Sequence, residues 1–153
     1  MFMEIKHVSF CNQTYHLVHE KIDRIDFQEL LSGKKEFSVL IFSKNYALYP
    51  QNVLKKFFDT MIDLWITEIW FLWEWAHNMD KLFEYLSVGR SAESGDDKYL
   101  GIVISTITEI FDYEWSLYAY VWSEHANKEN NYIIYDHSNF LPYLDFMFSE
   151  FIW

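Results

Sequence analysis

Phe37-Ser38-Val39-Leu40-Ile41-Phe42-Ser43 is the stretch on which the fold turns. Its β-branched and aromatic residues run almost without polar alternation, which suits a strand buried on both faces. A helix is expected after a short loop. Pro50 lies where a first-turn proline is tolerated, and Val53, Leu54, Phe57, Phe58, Met61, Ile62 and Trp65 recur at three- and four-residue spacing. Short apolar runs and longer amphipathic ones then alternate along the chain, the pattern of strand–helix units around a mainly parallel sheet.

Ile69-Trp70-Phe71-Leu72-Trp73 is too short and too continuously apolar for an amphipathic helix, so it is expected to be a second strand ending near Glu74 and Trp75. Asn78 can cap a helix through Lys81, Leu82, Phe83, Tyr85 and Leu86, with Gly89 as its stop. The small polar segment 90–98 is expected to be an exposed loop. Tyr99 to Ser105 supplies a third strand, and Thr106 with Glu109 has capping-box spacing for a helix whose stripe is Ile107, Ile110, Phe111, Trp115, Tyr118 and Trp122. That helix should end near Asn127. Tyr132-Ile133-Ile134-Tyr135 makes a fourth strand, and Pro142 opens a closing helix. Residues 37–153 thus predict an α/β fold with about four core strands. Residues 1–36 add a hairpin, His7–Cys11 with Tyr15–His19, and a short helix over Asp26 to Leu31. No linker composition separates the two parts, so 1–153 is expected to be a single domain.

With 153 residues, 51% of them apolar and 21% aromatic, the chain has ample material for one core. Cys11 is the single cysteine, which excludes an internal disulfide and a multi-cysteine zinc site and fits a reducing compartment. The start lacks a basic region leading into an apolar core, and apolar stretches around 64–75 and 99–107 are broken by Glu68, Glu74 and Glu109 before reaching spanning length. A cytoplasmic protein with no membrane partner is expected. The formal charge is −11: residues 1–92 hold 12 acids and 10 bases, whereas 93–153 hold 11 acids against Lys98 and Lys128. Such a field repels nucleic acid and steers a cationic protein toward encounter, although it also keeps an aromatic-rich chain soluble.

Parallel α/β sheets hold ligands beyond the carboxyl ends of their strands. Here the loop after the first strand, Ser43-Lys44-Asn45-Tyr46-Ala47-Leu48-Tyr49, has no glycine to admit a phosphate, and neither dinucleotide nor P-loop fingerprint occurs. Asp136-His137-Ser138 contains triad residue types, but neighbours in sequence do not generally converge; a polar strand end leading into a cap is expected. His16 and His19 should face opposite sides of a strand, which disfavours a metal pair. Asp96-Asp97 sits in a polar loop without a burial signal, and Cys11 suits an inert core position. No catalytic residue, cofactor or metal is therefore assigned. Trp75 and Tyr46, near strand ends beside Glu74 and Asn78, are candidate aromatic anchors for a basic protein.

Size, acidity and the strand–helix order from Phe37 to Trp153 resemble those of bacterial immunity proteins of contact-dependent growth inhibition systems, some of which have Rossmann-like folds. The resemblance implies a Rossmann-like three-layer sandwich. It also implies tight binding to the toxin domain of a cognate effector, often a nuclease (an RNase or tRNase) whose basic cleft the acidic surface blocks. Carboxylates would then replace the phosphates such a cleft holds. Glu74, Asp80, Glu109, Asp112 and Asp136 are the first candidates for that surface, since helix starts and strand ends gather on one rim; Asp96 and Asp97 come second. The alternatives are a small-molecule or nucleotide-handling enzyme with a site at the same rim, and an acidic adaptor subunit.

Overall fold

The computed structural model describes residues 4–10, 12–30, 36–44, 46–108, 117, 119–121 and 130–151. Its strands are β1 (Glu4–Phe10), β2 (Gln13–His19), β3 (Phe37–Phe42), β4 (Ile66–Leu72), β5 (Val103–Ile107) and β6 (Asn131–Tyr135). The helices are α1 (Phe27–Leu30), α2 (Gln51–Asp63), α3 (Ala76–Ser94) and α4 (Leu141–Phe151). Leu117, Ala119, Tyr120 and Val121 are also helical.

The strands form one sheet in the order β1-β2-β6-β3-β4-β5, antiparallel only between β1 and β2. The fold is therefore α/β with a mixed, mostly parallel sheet. Six strands stand where about four core strands were expected, because β2 joins β6 in parallel and carries β1 with it. From β3 the chain steps outward to β4 and β5, and β6 then returns to the other side of β3. The direction of winding changes between β3 and β6, where open α/β sheets have their crevice.

Both faces of the sheet are covered. Val39, Ile41, Ile69 and Phe71 pack against Leu54, Phe58 and Met61 of α2 and Phe83 of α3. Phe58 meets Phe71 and Phe83 edge-on at centroid distances of 5.6 and 5.5 Å, a geometry worth about 0.5–1.5 kcal/mol per pair beyond area burial. On the other face, Leu40, Phe42, Leu72 and Ile133 pack against Leu117, Tyr120, Val121, Leu144 and Phe148. Period-two alternation in β3 sends successive side chains to the two cores, which is why the strand is apolar throughout.

Polar groups enter the second core at the amino ends of the strands, where Asn131, Ser38 and Glu68 align across β6, β3 and β4. Ser38 Oγ donates to Asn131 Oδ1 at 2.6 Å and lies 2.7 Å from Tyr120 Oη. Asn131 Nδ2 reaches the Thr14 carbonyl at 3.2 Å. Glu68, only 1% exposed, accepts from Trp70 Nε1. Burial first pushes the Tyr120 hydroxyl well up from its ordinary pKa, and the nearby Glu68 adds to the shift.

Several boundaries differ from the sequence expectations. Helix α3 runs through Gly89 and stops at Gly95, whose φ of +71° supplies the left-handed C-cap; half of the expected 90–98 loop is helical. Asp97–Gly101 form a 3₁₀ turn, so β5 starts four residues later than expected, and Thr106 lies within it rather than capping a helix. Helix α4 and the short α1 stand where Pro142 and Asp26 placed them. Among the described residues, no helix is long and apolar enough to cross a membrane.

Candidate functional site

The parallel strands bring five carboxyl ends to one rim, with His19, Tyr135, Phe42, Leu72 and Ile107 in register across it. At its centre is the crevice between β3 and β6, and Asp136 occupies it. One carboxylate oxygen accepts from Ser43 Oγ and from Tyr49 Oη at 3.1 Å; the other accepts from the Lys44 backbone N–H at 3.2 Å. The Asp136 backbone N–H bonds the Phe42 carbonyl at 3.3 Å. Tyr49 also accepts from the Ile22 N–H at 3.1 Å, tying the loop before α1 to the same point. Burial, then the Asp136 charge, pushes the Tyr49 hydroxyl upward, the Ile22 bond opposing; burial and Asp136 do the same to Tyr46.

Next to the crevice, at the carboxyl end of β4, the backbone changes course. Trp73 has φ +112°, a region that bulky residues rarely enter. Its N–H bonds the Ile107 carbonyl at 3.1 Å, its ring meets Phe140 edge-on at 4.9 Å, and Lys44 Nζ sits 5.5 Å from its centroid. The chain turns there, leaving Glu74 exposed and Trp75 45% exposed at the start of α3. Leu48, 78% exposed, stands on the neighbouring loop after β3. Asp80 lies one turn into α3, half-buried. Burial, then Glu84, raises the Asp80 carboxyl above its ordinary pKa, while His77, Thr106 and Lys81 counteract.

The structure therefore gathers Glu74, Trp75 and Asp80 on the rim and treats the other candidates differently. Tyr46, expected as an exposed anchor, is 1% exposed and donates to the Ile41 carbonyl at 3.3 Å, because the 3₁₀ turn Tyr46–Leu48 folds its ring into the core against Phe71. Asp136 is on the rim, but at 9% exposure its carboxylate is directed inward. Asp96 and Asp97 are exposed at the opposite end of the sheet, since α3 runs back from the rim before they occur. Glu109, Asp112 and Cys11 lie outside the described residues.

Asp136, His137 and Ser138 do not converge. His137 Nδ1 accepts from the Asn139 N–H at 3.0 Å and caps the turn Ser138–Phe140, while Asp136 points into the crevice. His16 and His19 face opposite sides of β2, against Tyr132 and Tyr135 respectively. A pair that sequence reasoning missed is His7 and His16, opposite each other on β1 and β2 with Nδ1 atoms 2.6 Å apart. Among the described residues, no group of three or more His, Cys, Asp or Glu is arranged to hold a metal ion. Leu48, Ser43 and Tyr49 were also missed, and nothing in their types distinguishes them from ordinary loop residues.

No protein-family model matches the chain, and no curated protein matches it.

Proposed function

We propose that the protein is an immunity-type inhibitor that binds a basic toxin domain, a nuclease in the first instance, through the carboxyl rim over β4 and the start of α3. The observation that carries this is Trp75: a large aromatic left 45% exposed beside the exposed Glu74, with Leu48 projecting from the adjacent loop. Apolar anchors next to carboxylates suit a partner that presents lysines and arginines around a cleft. The formal charge of −11 speeds encounter, while the anchors and any desolvated charge pairs set the dissociation rate.

In this proposal the fold is a Rossmann-like scaffold working in the cytoplasm, with its ligand crevice filled by Asp136 and the hydroxyls around it. Filling the crevice gives the rim a fixed shape, and a pre-shaped surface loses less entropy on binding. The test is co-expression with candidate basic toxin domains, beginning with any encoded beside the protein's own gene. Rescue of growth together with co-purification is expected. Persistent toxicity without a complex would overturn the proposal.

A further inference from the structure

At the other end of the sheet, the turns entering β3 and β4 place Glu36 and Trp65 beside the 3₁₀ turn Asp97–Gly101. Between them is a recess of about 240 Å³ floored by Ile62, Ile66 and Ile102. Trp65 follows the C-cap of α2 with φ +75°, a position where glycine or asparagine is least strained, and it remains 54% exposed. An indole held there costs backbone strain and leaves apolar surface in water. Its contact is with a cation. Lys98 Nζ lies 3.9 Å from the Trp65 ring centroid, 5.0 Å from that of Tyr99 and 3.6 Å from an Asp96 carboxylate oxygen.

Two aromatic faces and a carboxylate around one ammonium make up the recognition chemistry of a basic side chain. We propose that Trp65, Tyr99 and Asp96 form a seat for a lysine side chain of a protein partner, and that Lys98 fills this seat in cis until the partner's lysine displaces it. Lys98 is suited to leave: it is exposed, and its departure frees Asp96 to pair with the incoming charge. Asp97 and Glu36 stand beside the seat, the nearby Arg90 is paired with Asp59 and Asp63, and the formal charge of −11 favours an incoming cation. A tethered lysine also sets a threshold. Isolated lysines must compete with a high effective concentration, whereas a partner docked elsewhere on the protein presents its lysine on equal terms. The seat is at the opposite end of the sheet from Trp75, and its existence does not depend on the rim proposal.

The probe is Nα-acetyl-lysine N-methylamide, and the signal is the Trp65 indole N–H resonance, assigned by its loss in Trp65→Phe. In Lys98→Gln the resonance should shift saturably, with an apparent affinity about tenfold above that of the wild type if the cis lysine occupies the seat nine-tenths of the time. The corresponding norleucine compound, which lacks the ammonium, should leave the resonance in place. Should Lys98→Gln fail to fold, Lys98→Met keeps the apolar stem and gives the same comparison. An unmoved Trp65 resonance in the folded variant, or an equal response to norleucine, would overturn the seat. Equal affinity in wild type and variant would overturn the role of Lys98 as its occupant.

Discussion

Asp136 and Glu74 stand at the carboxyl ends of β6 and β4 on the same rim, yet one is drawn into the chain and the other faces water. Asp136 sits at the crevice where the winding reverses and accepts from two hydroxyls and a backbone N–H. Glu74 follows a backbone turn at Trp73 that throws the chain outward. The difference shows that a carboxylate's role here depends on which strand ends beneath it. At the position used for ligands in open α/β sheets the carboxylate is bonded within the chain, and at the neighbouring position it faces water.

Removing the acceptor should expose this contrast most strongly. Asp136→Ala leaves the Ser43 and Tyr49 hydroxyls and the Lys44 N–H facing a buried void and is expected to cost about 3 kcal/mol by urea denaturation. Glu74→Ala should stay within about 0.5 kcal/mol of the wild type in the same measurement. Equal costs would erase the distinction.

Tyr49→Phe removes one of the three donors and should cost about 1 kcal/mol. It also has a pH signature. Burial and Asp136 hold the folded Tyr49 hydroxyl above its unfolded value near 10, so its contribution is complete below pH 10 and is lost as pH rises toward the folded value. Tyr132, raised by burial to about 12, adds to the same alkaline decline. Denaturation midpoints followed from pH 9 upward should fall, and fall less steeply in Tyr49→Phe.

The smallest effect concerns Asp80. Its folded pKa is raised, so the folded state holds the proton more tightly, and stability declines slightly as pH rises through the carboxylate range. Asp80→Asn should abolish that decline and change stability at neutral pH by no more than about 0.5 kcal/mol, in the stabilising direction. A clear loss instead would mean that the charges of His77 and Lys81 outweigh burial and Glu84.

The alternation from Phe37 onward made the α/β class legible, since strands buried on both faces are continuous apolar runs and their connecting helices are amphipathic. Boundaries were harder where side chains broke their usual preferences. Ile66-Thr67-Glu68 belongs to β4, but a glutamate inside a buried strand resembles an interruption until its Trp70 partner is seen. Gly89 resembles a helix stop, yet Gly95 takes the left-handed conformation. On the rim, the exposure of Trp75 beside Glu74 agrees with their expected place at a strand end. The inward turns of Tyr46 and Asp136 depend on strand order and on contacts with Phe71, Ser43 and Tyr49, which no local pattern encodes. The Trp65–Lys98 contact joins residues 33 positions apart and was hidden for the same reason.

The most direct test of the proposed rim is calorimetric titration of the wild type, Glu74→Lys and Trp75→Ala against a basic toxin domain that the wild type neutralises in co-expression, at two salt concentrations. Each variant is expected to weaken binding at least tenfold, about 1.4 kcal/mol, with a salt dependence reduced in Glu74→Lys. Tight binding with unchanged affinity and unchanged salt dependence in both variants would contradict the assignment of this surface.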